Sequence, residues 1–557
     1  MSQAQLEAFL PRRANWNAMT VLSIAVAGLI AVPVLVVIGS VLTPSTETWR
    51  HLASTVLPEY IANTLWLMLG VGLGVSVIGI ATAWLTTMCR FPGRGVFEWA
   101  LILPLAVPAY VMAYAYADFF QFAGPVQSWL RASFGWSRHD YWFPEIRSLG
   151  GAAFLFSVAF YPYVYLLARA AFLEQATGMI EAGRSLGYGP WRSFFRLALP
   201  LARPGVAAGV ALALMETLAD FGTVGYLALH TFTTGIYRAW LSLGDRVAAC
   251  QLAVALLAFV ALVLLAERMS RGRARFDNRA ARRRVVPHRL HGWPAAGAVL
   301  ACALPILAGF VLPAWILLRL TFSGGELQLG SRYFALVWNS VTLAGLTAAC
   351  AVALALLVAY ATRSGSNVVA LVAHRLAGLG YAVPGAVIAV GILVPVTRLD
   401  LALSGFLHSA FGITTGLLLT GGIAALVYAY LVRFLAVALQ SVEAGLAKVT
   451  PGMDDAARSL GTSPLGIVSR VHVPLLAPSL LTAALMVFVD VMKELPATFM
   501  MRPFNFDTLA VHTYNLASDE RLSELAAPAL TIVVVGIVPL ILLSRTLIRA
   551  RLEAERR

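Results

Sequence analysis

Apolar positions along this chain do not recur with a helical or a strand period. They come in unbroken blocks, separated by short stretches that hold most of the charge. A block of about 20 apolar residues is long enough to cross a bilayer as a helix. Such blocks fall near 19–42, 62–88, 97–118, 150–172, 204–228 and 248–267. A second set falls near 294–319, 337–361, 369–396, 414–438, 479–501 and 524–544. Backbone polar groups in lipid must be satisfied within each segment, so the pattern predicts twelve membrane-spanning helices. The first block follows Arg12 and Arg13. It is too long for the apolar core of a signal peptide and lacks a clear small-x-small cleavage site, so it reads as a retained span.

The polar stretches are not independent of one another. Residues 181–205, EAGRSLGYGPWRSFFRLALPLARPG, match residues 455–479, DAARSLGTSPLGIVSRVHVPLLAPS, at ten of 25 positions without a gap, at an offset of 274. Asn63 and Asn339 open similar runs, and Ala-Val-Pro recurs at 106–108 and 382–384, both at an offset of 276. The chain therefore reads as a tandem duplication of a six-span unit. An even number of spans makes the two halves parallel, related by an axis along the membrane normal. The halves are 1–267 and 294–557, joined by a basic linker, 268–293, with loops 174–205 and 443–479 carrying the repeated stretch.

Local chemistry predicts helix, sharp turn, helix for that stretch. Glu181 or Asp455 sits early in a short helix, where a negative charge suits the dipole, with Arg184 or Arg458 within i,i+3 reach. Gly187 and Gly461 fit the left-handed stop position. Gly189 and Ser463 are acceptable caps ahead of Pro190 and Pro464. Pro200 and Pro474 are expected to end the second helix, and Pro204 and Pro478 to open the next span.

Composition agrees with a lipid solvent. Hydrophobic residues make up 59% of the chain and charged residues 12%, against about 25% charged in soluble domains. The net charge of +14 does not point to nucleic acid, because the basic residues cluster at the ends of apolar blocks and in the linker. The linker carries nine arginines and the tail 545–557 five. The positive-inside rule then places both termini, the linker and both repeated stretches in the cytoplasm. The linker is expected to hold anionic lipid. Four cysteines, Cys89, Cys250, Cys302 and Cys350, lack paired spacing and read as buried small hydrophobes. His288 and His291 lack zinc spacing.

Carboxylates inside spans are functional candidates. Glu216 and Asp220 lie four apart on one face of the fifth span; Asp490 and Glu494 are their counterparts on the eleventh. Four such groups near a pathway would suit a hard cation, although hydrogen bonding to neighbouring helices, or pairing with Lys493, explains them as well. Tyr110, Tyr114 and Tyr116 could offer phenolates, but their counterparts in the second half are not tyrosines, and packing is the simpler reading. The chain contains no GxxxxGK[ST] sequence to hold ATP.

The repeated stretch resembles the EAA loop of bacterial ABC importer permeases: Glu-Ala-Ala, three residues, Gly, nine residues, then aliphatic-x-aliphatic-Pro. One copy reads Glu181, Ala182, Gly183, Gly187, Leu197, Leu199, Pro200; the other reads Asp455, Ala456, Ala457, Gly461, Val471, Val473, Pro474. Gly183 and Asp455 are the clearest departures. Nearly the whole chain is similar to the fused permeases of ferric-iron importers, most distinctively in 216-ETLADFGTVGYL-227 and 493-KELPATFMMRPFNFDTLAVHTYNL-516. The resemblance implies an all-α type I ABC importer permease fold in a bacterial inner membrane, with twelve transmembrane helices in two parallel six-helix repeats. It implies two copies of an ATPase subunit docked on the two elbows, ATP used by that partner, a periplasmic iron-binding protein, and Fe³⁺ as substrate. The chain itself would bind no cofactor and catalyse no covalent reaction. A fused permease for thiamine, phosphonate or polyamine is the nearest alternative, and a twelve-span secondary transporter a more distant one.

Overall fold

The computed structural model describes residues 18–44, 47–185, 187–271, 288–323, 330–364, 368–447 and 449–556. Arg12, Arg13 and most of the basic linker lie outside them. Eleven helices among the described residues are long and apolar enough to span a bilayer. A bent pair, Arg94–Ala106 with Ala109–Phe134 at 89°, brings the number to twelve if it counts as one span. In Leu57–Met88 the apolar faces divide cleanly. Trp66, Leu69, Leu73 and Val77 form an exposed stripe, while Tyr60, Leu67, Val71 and Val75 turn inward. In water that stripe would be a liability; in lipid it is the outer surface.

The described residues fall into two compact units. One gathers Met1–Ser45, Gly244–Val254 and Gly330–Val511; the other gathers Thr46–Leu243, Ala255–Leu329 and His512–Arg557. The centre of the first is a trio of helices, Ser331–Ser364, Ala424–Leu446 and Val473–Met492. The centre of the second is the corresponding trio, Leu57–Met88, Leu149–Ser185 and Leu199–Ala219.

The units do not coincide with the sequence halves, because each takes the first span of the other half and the second unit also takes the C-terminal span. Ala18–Gly39 packs beside Val368–Gly378 and Gly385–Phe411. The approach is close: a Cβ on Gly391 would lie 2.9 Å from the Pro33 Cα. Tyr428 donates its hydroxyl to the Leu29 carbonyl at 2.5 Å. In the other unit the helix Leu312–Ser323 packs on the C-terminal helix Leu522–Arg556. In lipid the choice of neighbour rests on surface fit and a few hydrogen bonds, not on sequence proximity.

Four expected spans are interrupted, and that expected near 414–438 becomes helical only at Ala424. The third and ninth break at the recurring Ala-Val-Pro. Val107 (φ −96°, ψ 113°) and Val383 (φ −83°, ψ 122°) are extended, as the residue before proline prefers. New helices start at Ala109 and Gly385. The fifth and eleventh helices stop at Ala219 and Met492, short of the expected 228 and 501, and short helices Gly222–Tyr226 and Pro496–Met501 follow.

A matched pair of hydrogen bonds anchors the loops beyond these breaks. Asn63 donates its amide to the His230 carbonyl at 2.9 Å, and Asn339 does the same to Asp507 at 3.1 Å. The duplication thus extends to individual bonds. Replacing either asparagine by alanine is expected to lower stability by about 1 kcal/mol, read as a reduced melting temperature of the purified full-length chain.

Candidate functional site

The two elbows share a backbone. Gly187 (φ 66°) and Gly461 (φ 78°) both occupy the left-handed region that a Cβ disfavours. At the second elbow the helix Pro451–Ser459 closes with a paired stop. Thr462 N–H reaches the Ala457 carbonyl at 3.1 Å and Gly461 N–H the Arg458 carbonyl at 2.9 Å. Ser463 then caps the next helix by accepting from Gly466 N–H at 3.2 Å. Arg458 pairs with Asp455 at 2.9 Å, both exposed. The side chains of Glu181, Ala182 and Arg184 lie outside the described part of the structure.

Two expectations for the elbows change. Glu181 does not open a short helix: it lies near the end of the long helix Leu149–Ser185. Only the second copy has a separate short helix, because Pro451 restarts the chain after the helix ending at Leu446. Nor do Pro200 and Pro474 end a helix. Each follows a π-helical turn, Phe194–Ala198 or Val468–His472, and the helices run on to Ala219 and Met492, with Pro204 and Pro478 in their interiors. Leu199 and Val473 bond back five residues, to Phe194 and Val468. Widening the turn moves aside the carbonyl that a proline ring would strike.

Beneath the second elbow lies a cluster the sequence did not reveal. The carboxylate of Asp454, nearly buried, meets Arg363 Nε and His472 Nε2, each at 2.7 Å. The Arg363 guanidinium also donates to the carbonyls of Leu446 (3.0 Å) and Val449 (2.8 Å). Burial alone would raise the Asp454 pKa, but the bonds from Arg363 and His472 outweigh it and hold the acid below its usual range. At the 274 offset the first copy has Ile180 and Ala198 for Asp454 and His472, so this bolt belongs to one elbow. A second tie occurs in both copies with opposite polarity: Glu98 with Arg169 at 3.3 Å, and His374 with Glu443.

The four span carboxylates divide between the units, Glu216 and Asp220 in one, Asp490 and Glu494 in the other. Asp220 and Glu494 mark the two helix breaks and perform the same local task. Asp220 accepts from Thr223 N–H at 2.7 Å and from the Thr223 hydroxyl at 3.0 Å. Glu494 accepts from Ala497 N–H at 2.8 Å, Thr498 N–H at 3.0 Å and the Thr498 hydroxyl at 2.6 Å. Each satisfies backbone donors freed where a helix restarts. Glu494 also faces Arg433 at 3.4 Å, and Asp490 pairs with Lys493 at 2.9 Å. Among the described residues, no group of three or more His, Cys, Asp or Glu side chains could hold a metal.

Comparison with known proteins gives this chain a family. The family described as binding-protein-dependent transport system inner membrane component matches residues 75–272, which include the first elbow. The molybdenum transport system permease protein ModB of Escherichia coli is 30% identical over 208 residues, covering 35% of this chain and 87% of ModB. The chain belongs to this family of transport-system membrane components, which are permease subunits and not enzymes. The Fe(3+)-transport system permease protein FbpB 2 of Haemophilus influenzae is 24% identical over 500 residues, covering 88% of this chain and 90% of the relative. The sulfate transport system permease protein CysT of Escherichia coli is 32% identical over 152 residues, covering 27% and 52%.

The depressed Asp454 pKa sets a pH dependence. Its folded value lies below the unfolded value of about 3.9, so its contribution is complete above that pH and is lost as pH falls through the folded value. Asp454→Asn should cost roughly 1.5–3 kcal/mol at neutral pH. The gap between wild type and variant should close as unfolding is measured at progressively lower pH, below about 4.

Proposed function

We propose that this chain supplies the membrane path of a ferric-iron ABC importer, with both halves of a permease in one polypeptide. The observation that carries the reading is the doubled elbow. Two copies of one turn, with the same left-handed glycine and the same π-helical turn 274 residues apart, suit two copies of an ATPase subunit. Glu181, Ala182, Arg184, Gly187 and Pro200 form one grip; Asp455, Ala456, Arg458, Gly461 and Pro474 form the other. The ATPase subunits consume ATP. A binding protein delivers Fe³⁺ on the opposite face, and the chain sits in a bacterial inner membrane with both termini and both elbows in the cytoplasm. The iron assignment draws on the relatives named for Fe(3+) transport, which align over both halves. Chemistry supports it over the oxyanions named for other relatives. The first helix break, 216-ETLADFGTVGY-226, carries two acids and no basic residue. Glu216, Asp220, Asp490 and Glu494 are assigned to the pathway walls, with Asp220 and Glu494 holding the breaks in shape.

Two measurements test this. Cells carrying the chain should take up radiolabelled ferric iron in preference to thiamine, phosphonate, polyamine, molybdate or sulfate. Uptake of another solute alone would overturn the iron assignment. Gly187→Val and Gly461→Val should each weaken co-purification of the ATPase by about tenfold, from the strain of a left-handed branched residue. Full ATPase retention in the double variant would remove the elbows from the coupling role.

A further inference from the structure

We infer that the phenol of Tyr114, together with the Asp220 carboxylate and the Tyr514 phenol, forms a hard-oxygen site for a trivalent cation in the first half of the pathway. The inference rests on the ferric reading above and gives it a place. Tyr114 is 1% exposed, and its hydroxyl has no hydrogen-bond partner among the described residues. A buried hydroxyl without a partner costs stability, so its retention calls for a reason. Asp220, Tyr226, Tyr514 and Tyr110 are the ionisable groups that face it. The Tyr114 and Tyr226 rings meet edge to face at 4.6 Å. The Tyr514 hydroxyl reaches within 3.2 Å of where a side chain on Gly225 would start, in the short helix that Asp220 caps. Asp220, Tyr226 and Tyr514 are only half-buried, so the buried phenol sits behind an accessible rim.

Two comparisons separate this cluster from packing. Tyr116, on the same helix and equally buried, donates its hydroxyl to the Ala308 carbonyl at 2.6 Å. At the 276 offset, the second half fills the places of Tyr110 and Tyr114 with Ala386 and Val390, both fully buried, so the fold does not need a phenol there. The carboxylates differ in the same sense. Glu494 is occupied by Ala497, Thr498 and Arg433, whereas Asp220 accepts from Thr223 in its own capped turn and pairs with no cation among the described residues. Phenolate and carboxylate are the anionic oxygen donors a hard trivalent ion favours. Coordination would displace the phenol proton to solvent, and Arg147, which donates to the Tyr226 oxygen at 3.4 Å, keeps that ring in place at the rim.

The test uses the full-length chain purified with its ATPase, titrated with ferric nitrilotriacetate, alongside uptake in proteoliposomes. Wild type should develop the visible charge-transfer absorption of a ferric phenolate. Tyr114→Phe should abolish most of that band and weaken ferric binding and uptake by at least about tenfold, and Asp220→Asn should weaken both. Tyr116→Phe should keep the band and the uptake. Tyr114→Phe removes an unpartnered hydroxyl, so it should fold at least as well as wild type; a melting curve checks this. If Tyr114→Phe keeps the band and the uptake, or wild type transports iron with no band, the site is overturned. If wild type neither binds nor transports iron while carrying another solute, the ferric reading itself fails.

Discussion

Every interruption of a helix within the bilayer frees backbone donors that lipid cannot satisfy, and the four breaks described above meet that demand in two ways. At the third and ninth spans the answer is proline, which has no donor to free, set in buried extended backbone. At the fifth and eleventh it is a carboxylate, Asp220 or Glu494, accepting the N–H groups of the helix that restarts. The breaks make a pathway possible, since an unbroken bundle of apolar helices would present no polar group to a solute. They are tolerable only because their polar groups are covered by protein.

The duplication kept this solution and let its surroundings diverge. Glu494 faces Arg433, Asp490 pairs with Lys493, and the second elbow carries the Asp454, Arg363 and His472 bolt. At the first break the carboxylate of Asp220 has no cationic partner among the described residues, and phenols from both halves surround it. At the helix break the second half thus sets a cation beside its carboxylate, while the first sets phenols there. A single polypeptide allows this division, because its two halves are free to differ where two copies of one gene product would be identical.

Much of this was legible in the sequence where the cause is local. Gly187 and Gly461 announced left-handed turns because only glycine takes that conformation without strain. Asn63, Asn339 and the two Ala-Val-Pro tripeptides marked equivalent places, and the structure gives each pair one job. The misreadings came from non-local or compensated effects. Pro200 and Pro474 looked like stops because the π-helical turn that accommodates them leaves no residue signature. The Asp454 bolt joins residues 91 apart in the chain, and nothing near Arg363 signals it. The exchange of first spans was invisible because Ala18–Gly39 is apolar apart from Thr20 and Ser23, so no polar stripe points to its neighbours.

That exchange bears on how such a chain can be divided. A cut in the linker would leave two polypeptides that share helices between the compact units: the first would keep Ala18–Gly39, which one unit requires, and the second would keep both Leu312–Ser323 and Leu522–Arg556, which the other requires. Neither fragment could complete a unit alone; the pieces would have to dovetail during assembly, each lending to the other. The fused gene removes that encounter step, since the lent helices and their borrowers are always present in equal number and always tethered.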